Sequence, residues 1–144
     1  MIVNSSCITG VKCRYNGSSS YNEKLITGIK ENYIHICPEI LAGLQTPRKS
    51  CEIFDGSGED VLNGNAKIID KVGFDITEQM LSGAKKALKI CLENKVTKAY
   101  LQTKSPSCGY NKIYDGTFSS TLRKGNGIFS TLLIKNGINV IEVE

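Results

Sequence analysis

The chain has 144 residues, of which 40% are hydrophobic and 22% are charged, and its formal net charge at pH 7 is +4. This length predicts one domain, residues 1–144, with a core large enough to fold without disulfides. The apolar runs are far too short for a membrane span, and no basic leader with an apolar segment opens the chain, so we expect a cytoplasmic protein. The lysines are spread out, which does not favour direct RNA binding, although the mild positive charge permits it.

The predicted elements alternate between short apolar strands and helices whose apolar residues recur at a spacing of three or four. In chain order we expect a strand Ile2–Asn4, a loop Ile8–Ser20, a helix Tyr21–Lys30, a strand Tyr33–Ile36, an irregular segment Leu41–Asn65, a strand Ala66–Asp70 that could pair antiparallel and ends in a turn near Lys71–Gly73, a helix Asp75–Lys95 with Thr77 as N-cap, a strand Ala99–Gln102, a helix Gly127–Asn136 with Gly137 as C-cap, and a strand Ile138–Val143. The alternation predicts an α/β fold: a single compact domain with a mostly parallel sheet flanked by helices in a Rossmann-like three-layer arrangement. Ligands of such folds bind at the carboxyl ends of the strands.

Cysteine is the unusual component of this composition. The chain has six cysteines: Cys7, Cys13, Cys37, Cys51, Cys91 and Cys108. In a cytoplasmic chain of this length, such a number favours metal binding or catalysis over a disulfide framework. No two have the CxxC spacing of zinc ribbons and thioredoxins. Because His35 is the only histidine, a histidine-rich metal site or a Ser/His/Asp triad is hard to build.

Three of the cysteines follow predicted strands of the parallel sheet. Cys7 comes after the first strand, Cys37 after the second, and Cys108 lies in the loop after Ala99–Gln102. Thiolates prefer iron–sulfur clusters, zinc or copper(I). Three thiolates without an obvious fourth ligand suggest a cluster with one open iron, which would act as a Lewis acid. A zinc ion with three cysteines and a water is the alternative.

The other cysteines have less direct interpretations. Cys91 lies on the apolar stripe of a predicted helix, which indicates a core position. Cys13 and Cys51 lie in loops beside motifs, where the context favours a structural role and leaves a place near the site open.

Three polar residue types beside the three cysteines suggest chemistry. Glu39 lies two residues after Cys37, where a carboxylate in a dry pocket could act as acid or base, or could simply bind a loop amide. The serines of Ser105-Pro106-Ser107-Cys108 could bind substrate or satisfy turn amides. The chain has 15 lysines but only three arginines, so Arg14 or Arg48 could hold a carboxylate or a substrate oxygen, although a loop-bracing ion pair explains either equally well.

Several motifs together resemble a known family. They are Ser6-Cys7-Ile8-Thr9-Gly10 with Arg14-Tyr15-Asn16-Gly17, Cys37-Pro38-Glu39 with Gly43-Leu44 and Thr46-Pro47-Arg48, Lys104-Ser105-Pro106-Ser107-Cys108-Gly109, Ile113-Tyr114-Asp115-Gly116-Thr117-Phe118, and Gly125-Asn126-Gly127. In this order, over nearly the whole chain, they resemble domain-of-unknown-function family 523, which includes the thiouracil desulfidases.

The resemblance implies a site and a reaction. It implies a 4Fe–4S cluster held by Cys7, Cys37 and Cys108 with one open iron, and it implies Glu39 and Ser105 as catalytic residues. The substrate would be a small thiolated base or nucleoside such as 2-thiouracil, whose sulfur leaves as hydrosulfide without net redox change. The alternatives are a non-catalytic carrier or sensor of iron–sulfur or sulfide, which would not need Glu39 or Ser105, and a zinc-dependent hydrolase.

Overall fold

The computed structural model describes residues 1–143; Glu144, the last residue of the predicted domain, lies outside the described residues. In chain order the elements are β1 (Ile2–Ser5), a 3-10 helix (Ser6–Thr9), α1 (Glu23–Gly28), β2 (Tyr33–Ile36), α2 (Pro38–Leu41), β3 (Cys51–Phe54), α3 (Gly58–Leu62), β4 (Lys67–Asp70), α4 (Thr77–Glu93), β5 (Lys98–Gln102), β6 (Lys112–Tyr114), β7 (Leu122–Lys124), α5 (Ile128–Lys135) and β8 (Asn139–Val143). No helix in these 143 residues is long and apolar enough to cross a membrane.

The central sheet has four strands in the order β2-β1-β5-β8, and all three pairings are parallel. The main core lies on one face, where α4 and α5 pack on the sheet around Val3, Ala99 and Phe129. The other face is covered by the 3-10 helix, the segment after it and α1, which form a smaller apolar cluster that includes Ile8 and Leu25. The predicted α/β class, a parallel sheet flanked by helices, is therefore confirmed. Since the chain leaves β1 for β2 and later returns to β5 on its other side, the sheet has a topological switch point between β1 and β5.

The long helix α4 has the predicted apolar stripe, but it begins at Thr77 rather than at Asp75. Met80, Ala84, Ala87 and Cys91 are buried at spacings of four and three residues. Thr77 was expected to cap this helix, and that expectation is wrong because Thr77 is its first residue. The carboxylate of Asp75 accepts the Thr77 amide at 2.9 Å, while the Thr77 hydroxyl accepts the Ile68 amide at 2.9 Å. The threonine thus fastens the helix to β4.

At the other end of the chain, the C-cap of α5 lies one residue before the predicted cap, Gly137. The C-cap is Asn136, and Gly137 follows it with a φ of +76°. The Gly137 amide binds the carbonyl of Ile134 and the Ile138 amide binds that of Leu133, which is the pattern of a Schellman motif. Glycine suits this left-handed position because it has no Cβ.

The segment Leu41–Asn65 was expected to be irregular, and this is wrong for much of its length. It contains β3, which pairs antiparallel with β4 as the sequence of β4 suggested. It also contains α3, which begins with a capping box between Ser57 and Asp60. Both elements have only four or five residues, too few for a period to show in the sequence. The hairpin of β6 and β7 was missed for the same reason, since each strand has three residues.

A close contact between α2 and α4 sets the position of α2. A Cβ added to Gly83 would lie 2.2 Å from the carbonyl oxygen of Pro38 and 2.6 Å from the Cβ of Ala42. Only glycine allows this approach. Because Cys37 and Glu39 lie at the start of α2, the contact also fixes two predicted site residues.

We expect Gly83→Ala to destabilise the protein by about 1–3 kcal/mol, because the added methyl group must push α2 away. The control is Gly28→Ala at the end of α1, where an added Cβ has nothing within 4 Å. That change should be neutral or should stabilise the fold by about 0.4–1 kcal/mol, because alanine lowers the conformational entropy of the unfolded chain. Urea unfolding of protein purified without oxygen measures both. Equal effects of the two substitutions would contradict the close packing of α2 on α4.

Candidate active site

A single pocket lies at the carboxyl edge of the sheet and has a volume of about 440 Å³. Cys7, in the 3-10 helix directly after β1, lines it together with Cys37, the N-cap residue of α2 directly after β2. Cys108, from the turn after β5, is the third predicted cysteine in its wall. The structure thus brings the three together at the switch point of the sheet, from three separate strand ends.

The Cys108 turn is held by a dense set of backbone hydrogen bonds. The Ser105 Oγ accepts the Cys108 amide at 2.8 Å, so this serine does satisfy a turn amide. The carbonyls of Pro106 and Ser107 accept the first amides of α5, and the buried hydroxyl of Ser130 donates to the carbonyl of Cys108 at 2.9 Å. These bonds tie the turn to the start of α5, so the backbone that carries the Cys108 side chain is held in one position.

Cys13 is a fourth thiol in the same place. It is 3% exposed, lines the pocket, and its thiol is in hydrogen-bond contact with those of Cys37 and Cys7. The hydrogen bond with Cys37 lowers the pKa of Cys13, but the one with Cys7 and burial outweigh it and raise that pKa to about 11. The sequence context favoured a structural role for Cys13; the structure instead places it between two predicted ligands.

Two further pocket thiols, those of Cys37 and Cys108, also have raised pKa values. The hydrogen bond to Cys13, followed by burial, raises the pKa of Cys37. Burial raises the pKa of Cys108, and the nearby charges of Cys37 and Glu39 add to this. A metal that binds these sulfurs must therefore displace their protons.

The last two cysteines, Cys51 and Cys91, lie in different parts of the structure. Cys51, at the start of β3, lines the pocket, and burial together with the charge of Glu39 raises its pKa. Cys91 is fully buried in the main core, as predicted, and burial alone raises its pKa to about 12.

Glu39 forms an ion pair with Arg48 inside the pocket wall. Their side chains are 15% and 9% exposed. The guanidinium of Arg48 also donates to the Cys13 carbonyl at 3.1 Å and to the Thr46 hydroxyl at 3.1 Å. Arg48 is therefore the arginine that holds a carboxylate, while Arg14 lies elsewhere in the lining. The pair fixes Glu39 beside the thiols and keeps its charge balanced.

A sequence profile of the 2-thiouracil desulfurase family matches residues 2–144. The chain belongs to this family. It is 45% identical to protein YbbK of Bacillus subtilis (strain 168) over 142 residues, which cover 98% of this chain and 94% of YbbK. Among solved structures, the 4Fe–4S-dependent thiouracil desulfidase TudS matches with a TM-score of 0.83 and 33% identity, over 98% of this chain and 89% of TudS. The resemblance found in the motifs is confirmed.

The donor set of this 2-thiouracil desulfurase family member fits an iron–sulfur cluster. Ligands of a cubane bind different irons and so lie further apart than ligands of one ion. Within residues 1–143, no three His, Cys, Asp or Glu side chains are arranged to hold one metal ion. The thiols nevertheless line one pocket. Thiolates are donors that iron–sulfur clusters prefer, and Cys7, Cys37 and Cys108 could hold such a cluster.

Two further polar groups of the desulfurase pocket lack hydrogen-bond partners within residues 1–143, and sequence reasoning missed one of them, Gln102. The Ser107 Oγ and the Gln102 Oε1 are buried and have no hydrogen-bond partner within the described part of the chain, and both residues line the pocket. A buried polar atom without a partner is costly, so each points to a bound group. Ser107 was weighed as a substrate contact in the sequence, but nothing in the spacing distinguished Gln102 from an ordinary residue at a strand end.

Proposed function

We propose that the protein removes sulfur from a small thiolated base such as 2-thiouracil, using a 4Fe–4S cluster held by Cys7, Cys37 and Cys108. The observation that carries the proposal is the convergence of these cysteines with the Glu39–Arg48 pair on one pocket of about 440 Å³. Membership of the 2-thiouracil desulfurase family and the similarity to TudS support it. The pocket volume lies in the range that binds small molecules.

The cluster would take part in the reaction only through its interaction with the sulfur of the substrate. When bound through three cysteines, it would supply an open iron as a Lewis acid for the sulfur of a thiocarbonyl group. The overall reaction replaces that sulfur with the oxygen of water, and the sulfur leaves as hydrosulfide. Atoms and electrons balance without an oxidant or a reductant, so the protein must only orient the base and move protons.

Glu39 is the residue that we assign to proton movement. Its carboxylate lines the pocket, and the ion pair with Arg48 holds it in one orientation. In this position it can take a proton from the attacking water and later return it to a leaving atom. Arg48 contributes by position, since it also binds the carbonyl of Cys13 and so connects the carboxylate to the cysteine loops.

Hydroxyl and amide groups of the pocket would orient the substrate. The Ser105 Oγ accepts the Cys108 amide, and a hydroxyl that accepts one hydrogen bond can still donate its own proton. Ser105 can therefore assist the reaction while it supports the turn. The Ser107 hydroxyl and the Gln102 side-chain carbonyl can bind the ring carbonyl and N–H groups of a base.

The rival from sequence, a carrier or sensor of iron–sulfur or sulfide, would use the same cysteines. It gives no reason for a nearly buried ion pair beside them, because a carrier needs no proton acceptor. A zinc hydrolase would contain zinc and no acid-labile sulfide, so metal and sulfide analysis distinguishes it from the proposed enzyme.

Turnover of 2-thiouracil tests the proposal directly. Protein purified without oxygen should convert it to uracil and release one sulfide per uracil formed, as measured by chromatography and by sulfide assay. The control is the same protein after the iron has been removed with a chelator, which should be inactive and should recover activity on reconstitution. If iron-loaded protein leaves 2-thiouracil unchanged, the proposed function is wrong.

A further inference from the structure

The loop between β6 and β7 contributes an aromatic wall that no step above uses. Phe118, in the middle of this loop, is half-buried and lines the same pocket as Cys7 and Cys108. The motif Ile113–Phe118 helped to define the family resemblance, but neither metal binding nor proton transfer assigns it a role. The amide of Tyr114 binds the carbonyl of Lys104, so the base of the loop is joined to the segment that leads to Cys108.

A buried carboxylate holds this loop against β3. Glu52 is 7% exposed, and its Oε1 accepts the amide of Gly116 at 2.9 Å and that of Phe118 at 3.2 Å. Gly116 has a φ of +93°, and an added Cβ there would lie 2.6 Å from the carbonyl oxygen of Ile53. The loop therefore packs closely on β3. Glu52 holds the backbone amide of Phe118, the residue whose phenyl ring lines the pocket.

The backbone of Phe118 adopts a conformation that a bulky residue rarely takes. Its φ is +55°, in the left-handed region. Such a conformation persists only where the surroundings determine it, and it is often found beside ligands. Here Glu52 and the close approach of Gly116 provide those surroundings, and the result is a phenyl group in the wall of the pocket.

We propose that Phe118 stacks on the ring of the substrate and selects planar, aromatic thiolated bases over non-planar thioamides. The proposal rests on the proposed function and names the substrate class of that site. An aromatic face stacks on any planar base whatever its substituents. The polar groups of the pocket can then form hydrogen bonds with the edge of the ring, while Phe118 favours ligands whose ring is planar.

The test uses two ligands that differ only in planarity. Uracil and 5,6-dihydrouracil have the same carbonyl and N–H groups, but the second has a saturated, puckered ring. Calorimetric titration of the iron-loaded protein should show that uracil binds about five- to 150-fold more tightly, the range of affinity that base stacking on an aromatic side chain supplies. Phe118→Leu should abolish this preference by weakening uracil binding alone, and Phe118→Tyr, which keeps the ring, should retain it.

Phe74→Leu is the matched control, since Phe74 is 68% exposed and lies outside the pocket lining. It should leave the preference unchanged, and the iron content of all variants should equal that of the wild type. A preference that survives in Phe118→Leu, or that is absent from the wild type while 2-thiouracil still yields sulfide, overturns the role of Phe118 alone. Wild-type protein that neither binds uracil nor releases sulfide overturns the proposed function together with this inference.

Discussion

We expect Cys108→Ala to remove the iron and the acid-labile sulfide from protein purified without oxygen. The wild type should contain about four of each per chain, and the variant close to none, because a cluster with three protein ligands does not persist on two. The loss should not reflect unfolding. Cys108 is 7% exposed, and its turn is fixed through backbone groups and the hydroxyls of Ser105 and Ser130, which the substitution leaves in place. Metal analysis and circular dichroism of the same samples check both statements.

Two other cysteines serve as controls for this result. Cys91→Ala removes a buried thiol from the main core and should lower stability while it leaves the iron content unchanged. Cys13→Ala is the stricter comparison, since Cys13 contacts Cys7 and Cys37 inside the pocket. With the proposed ligand set it should retain iron. Loss of iron in Cys13→Ala, together with its retention in Cys108→Ala, would show that the ligand set is wrong.

Glu39→Gln should lower the rate of sulfide release from saturating 2-thiouracil by about 10²- to 10⁴-fold, the usual contribution of a positioned acid or base. Glutamine keeps the shape of the side chain and an oxygen for Arg48 to bind, so the iron content should stay that of the wild type. It cannot accept and return a proton, which is the function that the proposal gives to Glu39. Initial rates and iron content, measured on the same preparation, separate these two effects.

The same substitution at an exposed ion pair provides the comparison. Glu59 accepts a hydrogen bond from Lys135 at 3.0 Å, and about half of each side chain is exposed, so Glu59→Gln should leave the rate unchanged. A carrier or sensor would be indifferent to both substitutions. Undiminished turnover in Glu39→Gln would therefore show that Glu39 does not transfer the protons and that another group does.

Long elements with a clear period could be predicted from the sequence. The stripe of α4 and the apolar strands of the central sheet gave the fold class, and the sheet explained why Cys7, Cys37 and Cys108 should meet at one edge. The small elements around that edge could not be predicted in this way. The hairpin of β6 and β7 and the short helix α3 depend on contacts with distant segments, and their local sequences show no period.

The same limit applies to the site. Cys13 lies in a loop without regular structure, so its approach to Cys37 depends on how that loop folds back rather than on spacing. The partner of Glu39 was one of two candidate arginines until the structure showed that Arg48 reaches it. A positive φ at Phe118 could not be foreseen, because phenylalanine is not among the residues that favour it.

The pocket wall combines residues from two different parts of the fold. The parallel sheet sets the spacing of Cys7, Cys37 and Cys108, since each follows its own strand. Glu52 and Phe118 instead belong to two small antiparallel hairpins, which meet through the Glu52 carboxylate and the close approach of Gly116 to β3. If Phe118 stacks on the substrate as proposed, a change in the sequence of the loop between β6 and β7 would alter which ring the pocket admits, while the three cysteines come from other segments of the chain. Within such a scaffold, substrate range can diversify in evolution while the reaction itself is preserved.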